Sequence, residues 1–219
     1  MGVITESPPS IVWATVADLW EQLGRVPLER IRLIPSPGTA TEQDLLDLMD
    51  HADRICELID GVLVEKTVGY IESILAMAIG EFLRRFVREH KLGIIAGEGG
   101  TLKILPRQVR IPDVSFVSWG RFPGGKLPQI PIPAIAPDLA VEVLSKSNSE
   151  GEMRRKLQEY FAAGVRLVWY LDPPTRTAAV YTSPEQCETL REGDTLTGGD
   201  VLLSFELPLR ELFSEIEGL

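Results

Sequence analysis

The stretch between positions 138 and 171 constrains the fold more than any other. Asp138-Leu139-Ala140-Val141-Glu142-Val143-Leu144 is an apolar run of strand length. Ser149, with Glu152 three residues on, has the spacing of a capping box, and Gly164 is a helix-stop residue. Between them Met153, Leu157, Tyr160 and Phe161 make a helical apolar stripe. Residues 166–171 form a second apolar strand, ended by Asp172-Pro173-Pro174. A strand, a crossover helix and another strand favour a mixed sheet with helices on its faces. The expected class is therefore α/β.

The rest of the chain adds elements to that unit. Residues 1–10 are polar and contain Pro8-Pro9, which predicts a loose end. Val12, Val16, Leu19 and Leu23 have a helical period, and Thr41 with Asp44 predicts the cap of a second short helix. Residues 1–50 thus read as an N-terminal helical extension, and 51–219 as the main domain. Asp60-Gly61 between apolar runs predicts a hairpin. A long helix is expected over 71–88, with Ile71, Ile74, Leu75, Ala78, Ile79, Phe82, Leu83 and Phe86 as its stripe. Residues 102–105 and 109–118 read as paired strands, and the Gly- and Pro-rich stretch 120–137 as a long irregular loop. Residues 177–182 should pair with the strand before them, and the tail should end in a hairpin and a short helix.

Composition narrows the function classes. The 219 residues fit one domain, and 44% hydrophobic content suffices for a core without staples. No apolar stretch reaches eighteen residues, and the first residues lack the pattern of a secretory signal, so a cytoplasmic protein is expected. Cys56 and Cys187 read as thiols rather than a disulfide. A net charge of −10 argues against coating nucleic acid with a broad basic surface. It is compatible with carboxylates gathered around a cation. His51 and His90 have no partners at zinc-ligand spacing, and Gly97-Glu98-Gly99-Gly100 lacks a nucleotide-cradling pattern.

Two charges stand where the pattern demands apolar residues. Every neighbour of Glu142 in its strand is apolar, and a carboxylate buried alone costs several kcal/mol. Asp113 follows Pro112 in Ile111-Pro112-Asp113-Val114-Ser115-Phe116, which places it near a sheet margin, open to solvent or ligand. Either group could instead be satisfied by ordinary hydrogen bonds. Glu72, in the first turn of the long helix, could join them, although the helix dipole alone favours a glutamate there. Lys156, at the border of its stripe, either snorkels to water or reaches back over the sheet to Glu142.

Pro112-Asp113, then Glu142-Val143-Leu144-Ser145, then Lys156 followed by Tyr160, Gly164-Val165 and Trp169, resemble the PD-(D/E)XK nuclease superfamily, in its Uma-two branch of restriction-endonuclease-like proteins. Glu57-Leu58-Ile59-Asp60-Gly61 and Ala136-Pro137-Asp138-Leu139 are similar to that family's opening hairpin and to the lead-in of its central strand. The resemblance covers about residues 50–182. It implies a restriction-endonuclease-like fold and Mg²⁺-dependent hydrolysis of DNA phosphodiester bonds, with Mn²⁺ able to substitute. It places metal ligation on Asp113, Glu142 and Glu72, and catalysis on Asp113, Glu142 and Lys156. DNA and a second copy of the chain are the expected partners, with no membrane. One departure stands out: the spacing calls for lysine at 144, where this chain has Leu144. Lys156 would supply the ammonium from the helix, with Lys146 as the alternative. The competing reading is a catalytically inactive nuclease fold serving dimerisation or partner binding.

Overall fold

The computed structural model describes residues 13–51, 54–67 and 69–217. Helices α1 (Val16–Gln22) and α2 (Glu42–His51) precede the hairpin of β1 (Cys56–Ile59) and β2 (Val62–Glu65). Helix α3 (Tyr70–Glu89) leads to β3 (Gly93–Ala96), β4 (Leu102–Leu105), β5 (Gln108–Arg110) and β6 (Val114–Ser118). Then come β7 (Leu139–Val143), α4 (Glu150–Ala162), β8 (Leu167–Asp172), β9 (Thr177–Tyr181) and β10 (Cys187–Arg191). The hairpin of β11 (Thr195–Gly198) and β12 (Leu202–Pro208) and helix α5 (Leu209–Ser214) complete the chain. The expected loose end at 1–10, and Val12 of the first helical stripe, lie outside the described residues. Among the described residues no helix is long and apolar enough to cross a membrane.

The central sheet has six strands in the order β10-β9-β8-β7-β6-β3. Strands β7 and β8 run parallel from Leu139↔Leu167 to Val143↔Leu171, joined by α4 as a crossover. Every residue of β7 is buried, because strands flank it and helices cover both faces. Side chains alternate across it. Val141 and Trp169 join Leu75, Ile79 and Leu83 of α3 in one core. Ala140, Val168 and Tyr170 join Met153, Leu157 and Tyr160 of α4 in another. Residue 142 shares the parity of Ala140, so Glu142 faces α4.

A second sheet, β2-β1-β5-β4, stands beside the first. At its hairpin Asp60 has φ 53° and Gly61 φ 77°, the paired positive angles of a two-residue turn that follows the strand twist. The continuous strand expected over 109–118 is broken: β5 belongs to this sheet and β6 to the central one. Proline at 112 has no N–H for a ladder, so the chain changes sheets there and Asp113 sits at the junction. The side chain is not at an open margin. Strand β6 is interior, and Asp113 is 8% exposed.

The capping box expected at α4 is only half formed. Ser149 Oγ accepts from the Glu152 N–H at 3.1 Å, but the Glu152 carboxylate takes a bidentate pair from Arg30 at 2.6 and 2.9 Å. Arg30 also donates to the carbonyls of Glu65 and Ser147. This buried fork ties the segment before α2 to both the hairpin and α4.

Asp138 anchors the entrance to β7. Its carboxylate accepts from the Ser118 amide at 2.8 Å and from Arg121 Nε at 3.0 Å. Burial pushes its pKa up, but the Ser118 amide and the Arg121 guanidinium outweigh that and hold it below the ordinary value. A depressed pKa contributes stability above the unfolded value, lost as pH falls through the folded one. Asp138→Asn is expected to cost about 1–2 kcal/mol at neutral pH. The deficit should shrink as the pH drops below the ordinary carboxylate range. Urea unfolding of both proteins across acid pH measures it; a pH-independent difference would mean the charge of Asp138 plays no part.

Candidate active site

The face of the sheet under α4 holds a buried cluster of charges. Val114 pairs with Val141 in the antiparallel register of β6 and β7, so Asp113, one residue earlier, falls opposite Glu142 on the same face. Asp113 Oδ2 accepts the Val143 N–H at 2.6 Å, and Oδ1 lies 2.7 Å from Lys66 Nζ. Glu142 Oε1 accepts the Tyr160 hydroxyl at 2.5 Å and lies 3.0 Å from Lys156 Nζ. Lys156 is 3.2 Å from Glu57 Oε1 as well, and its side chain is 5% exposed. Its stem lies along the sheet because Met153 and Leu157 on either side pack into the core.

A second layer orients this group. Glu57 accepts from Arg110 at 2.6 Å and from the Ile111 N–H at 3.0 Å. Arg110 also binds Glu159 of α4 at 2.5 Å, and Glu159 accepts from Arg155, which reaches Asp60 at the hairpin turn. A continuous chain of ion pairs therefore runs from the turn at Asp60 to Glu142.

The electrostatics separate the carboxylates. Burial pushes the Glu142 carboxyl above its ordinary range, and the Asp113 and Glu57 charges add to this; Lys156 and Lys66 offset only part of it. Glu57 goes the other way. Burial raises it, but Lys156, Arg110, Lys66 and the Ile111 amide together carry it below the ordinary value. For Lys156, burial opposes the charge and Glu142 and Glu57 overcome that opposition, so the ammonium is held. Three buried cations, Lys66, Lys156 and Arg110, face four carboxylates, Asp113, Glu142, Glu57 and Glu159. Arg155 and Asp60 extend the network by one charge of each sign. One negative charge is in excess when all are ionised.

Asp113, Glu142 and Lys156 thus come together; Glu72 does not join them. Helix α3 packs on the other face of the sheet, and the Glu72 carboxylate folds back over Gly69 at the start of that helix. Among the described residues no three acidic, histidine or cysteine side chains converge on one point. A donor set of two carboxylates still fits a hard cation of the Mg²⁺ type, which takes one or two protein carboxylates and completes its shell with water and phosphate oxygens. The excess negative charge fits it too.

Sequence reasoning missed Glu57, Lys66 and Arg110. Glu57, between Cys56 and Leu58, and Arg110, between Val109 and Ile111, carry the signal that singled out Glu142: a charge inside an apolar strand. Lys66 carries none, since it follows a strand end and its partner lies far along the chain.

Beyond the ends of β7 and β8 lies a cavity of about 1140 Å³, lined by Thr67, Glu72, Lys146, Arg154, Tyr170 and Pro173 among others. Open α/β sheets bind ligands outside the carboxyl ends of parallel strands, and the cavity occupies that place. Lys146 and Arg154 are exposed on its rim and make no ion pair among the described residues. Met153 and Leu157, which flank Lys156, and Thr67, which follows Lys66, are part of its wall.

Comparison with known proteins gives the family and the fold. The profile of the Uma2 family, described as "Putative restriction endonuclease", matches residues 42–210, more than half of the chain. A crystal structure described as a putative nuclease belonging to DUF820 from Anabaena variabilis superposes with a TM-score of 0.67 at 19% identity. The match covers 78% of this chain and 97% of that one. None of the curated proteins compared is similar enough to count as a relative. At that identity the superposition speaks for the restriction-endonuclease-like α/β fold alone.

Proposed function

Because the chain belongs to the Uma2 family of restriction-endonuclease-like proteins, we propose that it hydrolyses DNA phosphodiester bonds at Asp113 and Glu142 with a divalent cation, Mg²⁺ or Mn²⁺. The observation that carries the reading is the pairing of these two buried carboxylates on one face of the sheet with Lys156 at 3.0 Å from Glu142. When bound, the cation would orient the scissile phosphate and lower the pKa of an attacking water. Asp113 and Glu142 would hold it through their carboxylates. Lys156 keeps its proton between Glu142 and Glu57, so it acts as a fixed positive charge that offsets charge developing on the phosphate. Lys146 and Arg154, on the rim of the cavity, would meet the backbone of the strand being cut.

Supercoiled plasmid incubated with the purified protein and Mg²⁺ or Mn²⁺ should be nicked, with no nicking in EDTA and none with Asp113→Asn. A wild type that nicks neither plasmid nor linear duplex, and binds no divalent ion, would return the fold to a partner-binding role.

The choice of lysine gives a second expected result. Lys156→Met should lower nicking by about 10²-fold or more, the scale of losing one preorganised electrostatic group. Lys146→Met should stay within a few-fold, because residue 146 lies on the exposed turn into α4 and touches neither carboxylate. The opposite ranking of the two variants would place the functional ammonium on the turn.

A further inference from the structure

Lys66 is a second ammonium in the cluster, and the reading above gives it no task. Its side chain is 8% exposed, and Nζ touches two acceptors: Asp113 Oδ1 at 2.7 Å and the Ile111 carbonyl at 2.5 Å. Burying a lysine this far costs free energy that only a close counter-charge offsets. The counter-charge is the carboxylate that the proposed reaction needs for its cation. An ammonium and a divalent ion cannot both sit on that oxygen, since two positive charges a few ångströms apart in a buried site repel strongly.

The surroundings show where Lys66 would go. The residue follows the last position of β2 and precedes Thr67, which is exposed and lines the large cavity. Its stem is long enough to carry the ammonium several ångströms without moving the backbone. Lys156 has no such freedom, held between two carboxylates on a packed helix.

We propose that Lys66 is a resident counter-cation of Asp113, which a divalent ion displaces from the carboxylate toward the cavity when it binds. Lys66 is therefore a positioning residue of the site without cation: it neutralises Asp113, keeps two carboxylates from facing each other bare, and sets a threshold that an entering ion must exceed. Released, its ammonium stands at the cavity wall, where a phosphate would draw it. The inference rests on Asp113 as a cation ligand.

Calorimetric titration of the full chain with Mn²⁺, on wild type, Lys66→Met and Asp113→Asn, separates the two claims. Lys66→Met is expected to bind Mn²⁺ about tenfold or more tightly than wild type, because the competing charge is gone. Its melting temperature should fall without the ion and recover with it. Equal Mn²⁺ affinity in wild type and Lys66→Met, with binding lost in Asp113→Asn, would overturn the counter-cation role and leave the cation site standing. No binding to any of the three would overturn the cation site itself, and this inference with it. Should Lys66→Met fail to fold, lysine-labelled wild type answers by NMR during a Mg²⁺ titration. The Lys66 side-chain signal, assigned with Lys66→Arg, should move in step with saturation while that of Lys156 stays; a Lys66 signal unmoved at saturation would refute displacement.

Discussion

Arg110→Met is expected to lower the unfolding free energy by about 3–5 kcal/mol, the scale for removing one partner from a buried ion pair. Arg110 is among the largest fully buried side chains, 1% exposed, and its guanidinium binds Glu57 and Glu159 at once. Burial alone would push its proton affinity down, yet Glu159 and Glu57 hold it above the ordinary range. Without it Glu57 keeps Lys156 and the Ile111 amide, and Glu159 keeps Arg155, so each carboxylate loses one of its cationic partners. A methionine fills the space and supplies no donor. Urea unfolding measures the loss, and a double variant with Glu57→Gln should recover part of it, because the residues share one network. A single-variant loss below about 1 kcal/mol would show that Lys156 and Arg155 alone balance the cluster.

How far the sequence reveals this architecture depends on whether the deciding forces are local. The Asp60-Gly61 turn is local chemistry, and the hairpin is present where the dipeptide predicts it. The α3 stripe is equally local: Leu75, Ala78, Ile79 and Leu83 are all buried. The strand–helix–strand unit of β7, α4 and β8 follows from periodicity and breakers. The split between β5 and β6 is only partly local: Pro112 interrupts the ladder within 109–118, but tertiary pairing decides which sheet each half joins. Strand β10 is mostly exposed and so has no apolar alternation to betray it.

The same division holds for the site. Glu142 and Asp113 were visible as charges inside apolar runs, and so in principle were Glu57 and Arg110. Their partnership was not, since β1, β5 and α4 meet only in the folded chain. Lys156 could be placed on the border of a stripe, but its choice between water and the sheet depended on a carboxylate below it. Glu72, which the resemblance added to the set, stands at the start of α3 on the wall of the cavity beyond β7 and β8, and among the described residues it does not converge with Asp113 and Glu142 on one point. Lys66 left no trace in sequence, because nothing local distinguishes it from an ordinary lysine after a strand.

Glu142→Gln is expected to reduce divalent-dependent nicking by about 10³-fold while leaving stability without cation within about 1 kcal/mol of wild type. Glutamine keeps the shape and an acceptor for the Tyr160 hydroxyl but carries no charge for a cation. The small stability effect follows from the direction of the pKa. Burial raises the Glu142 carboxyl, so its ionised form is the less favourable one in the native state, and a neutral isostere removes that penalty. With the folded pKa above the unfolded one, the native state holds more protons in the window between them. Wild-type stability should therefore decline as pH rises through that window, and Glu142→Gln should lack this share of the decline. Lys156 loses one partner but retains Glu57 at 3.2 Å, so no buried cation is left bare. Nicking and urea unfolding on the same preparations test both halves. Lost nicking with a melting temperature near wild type identifies Glu142 as a group of the reaction. A collapse of stability without cation would identify it as half of a structural pair with Lys156, and the nuclease reading would then have to stand on Asp113 alone.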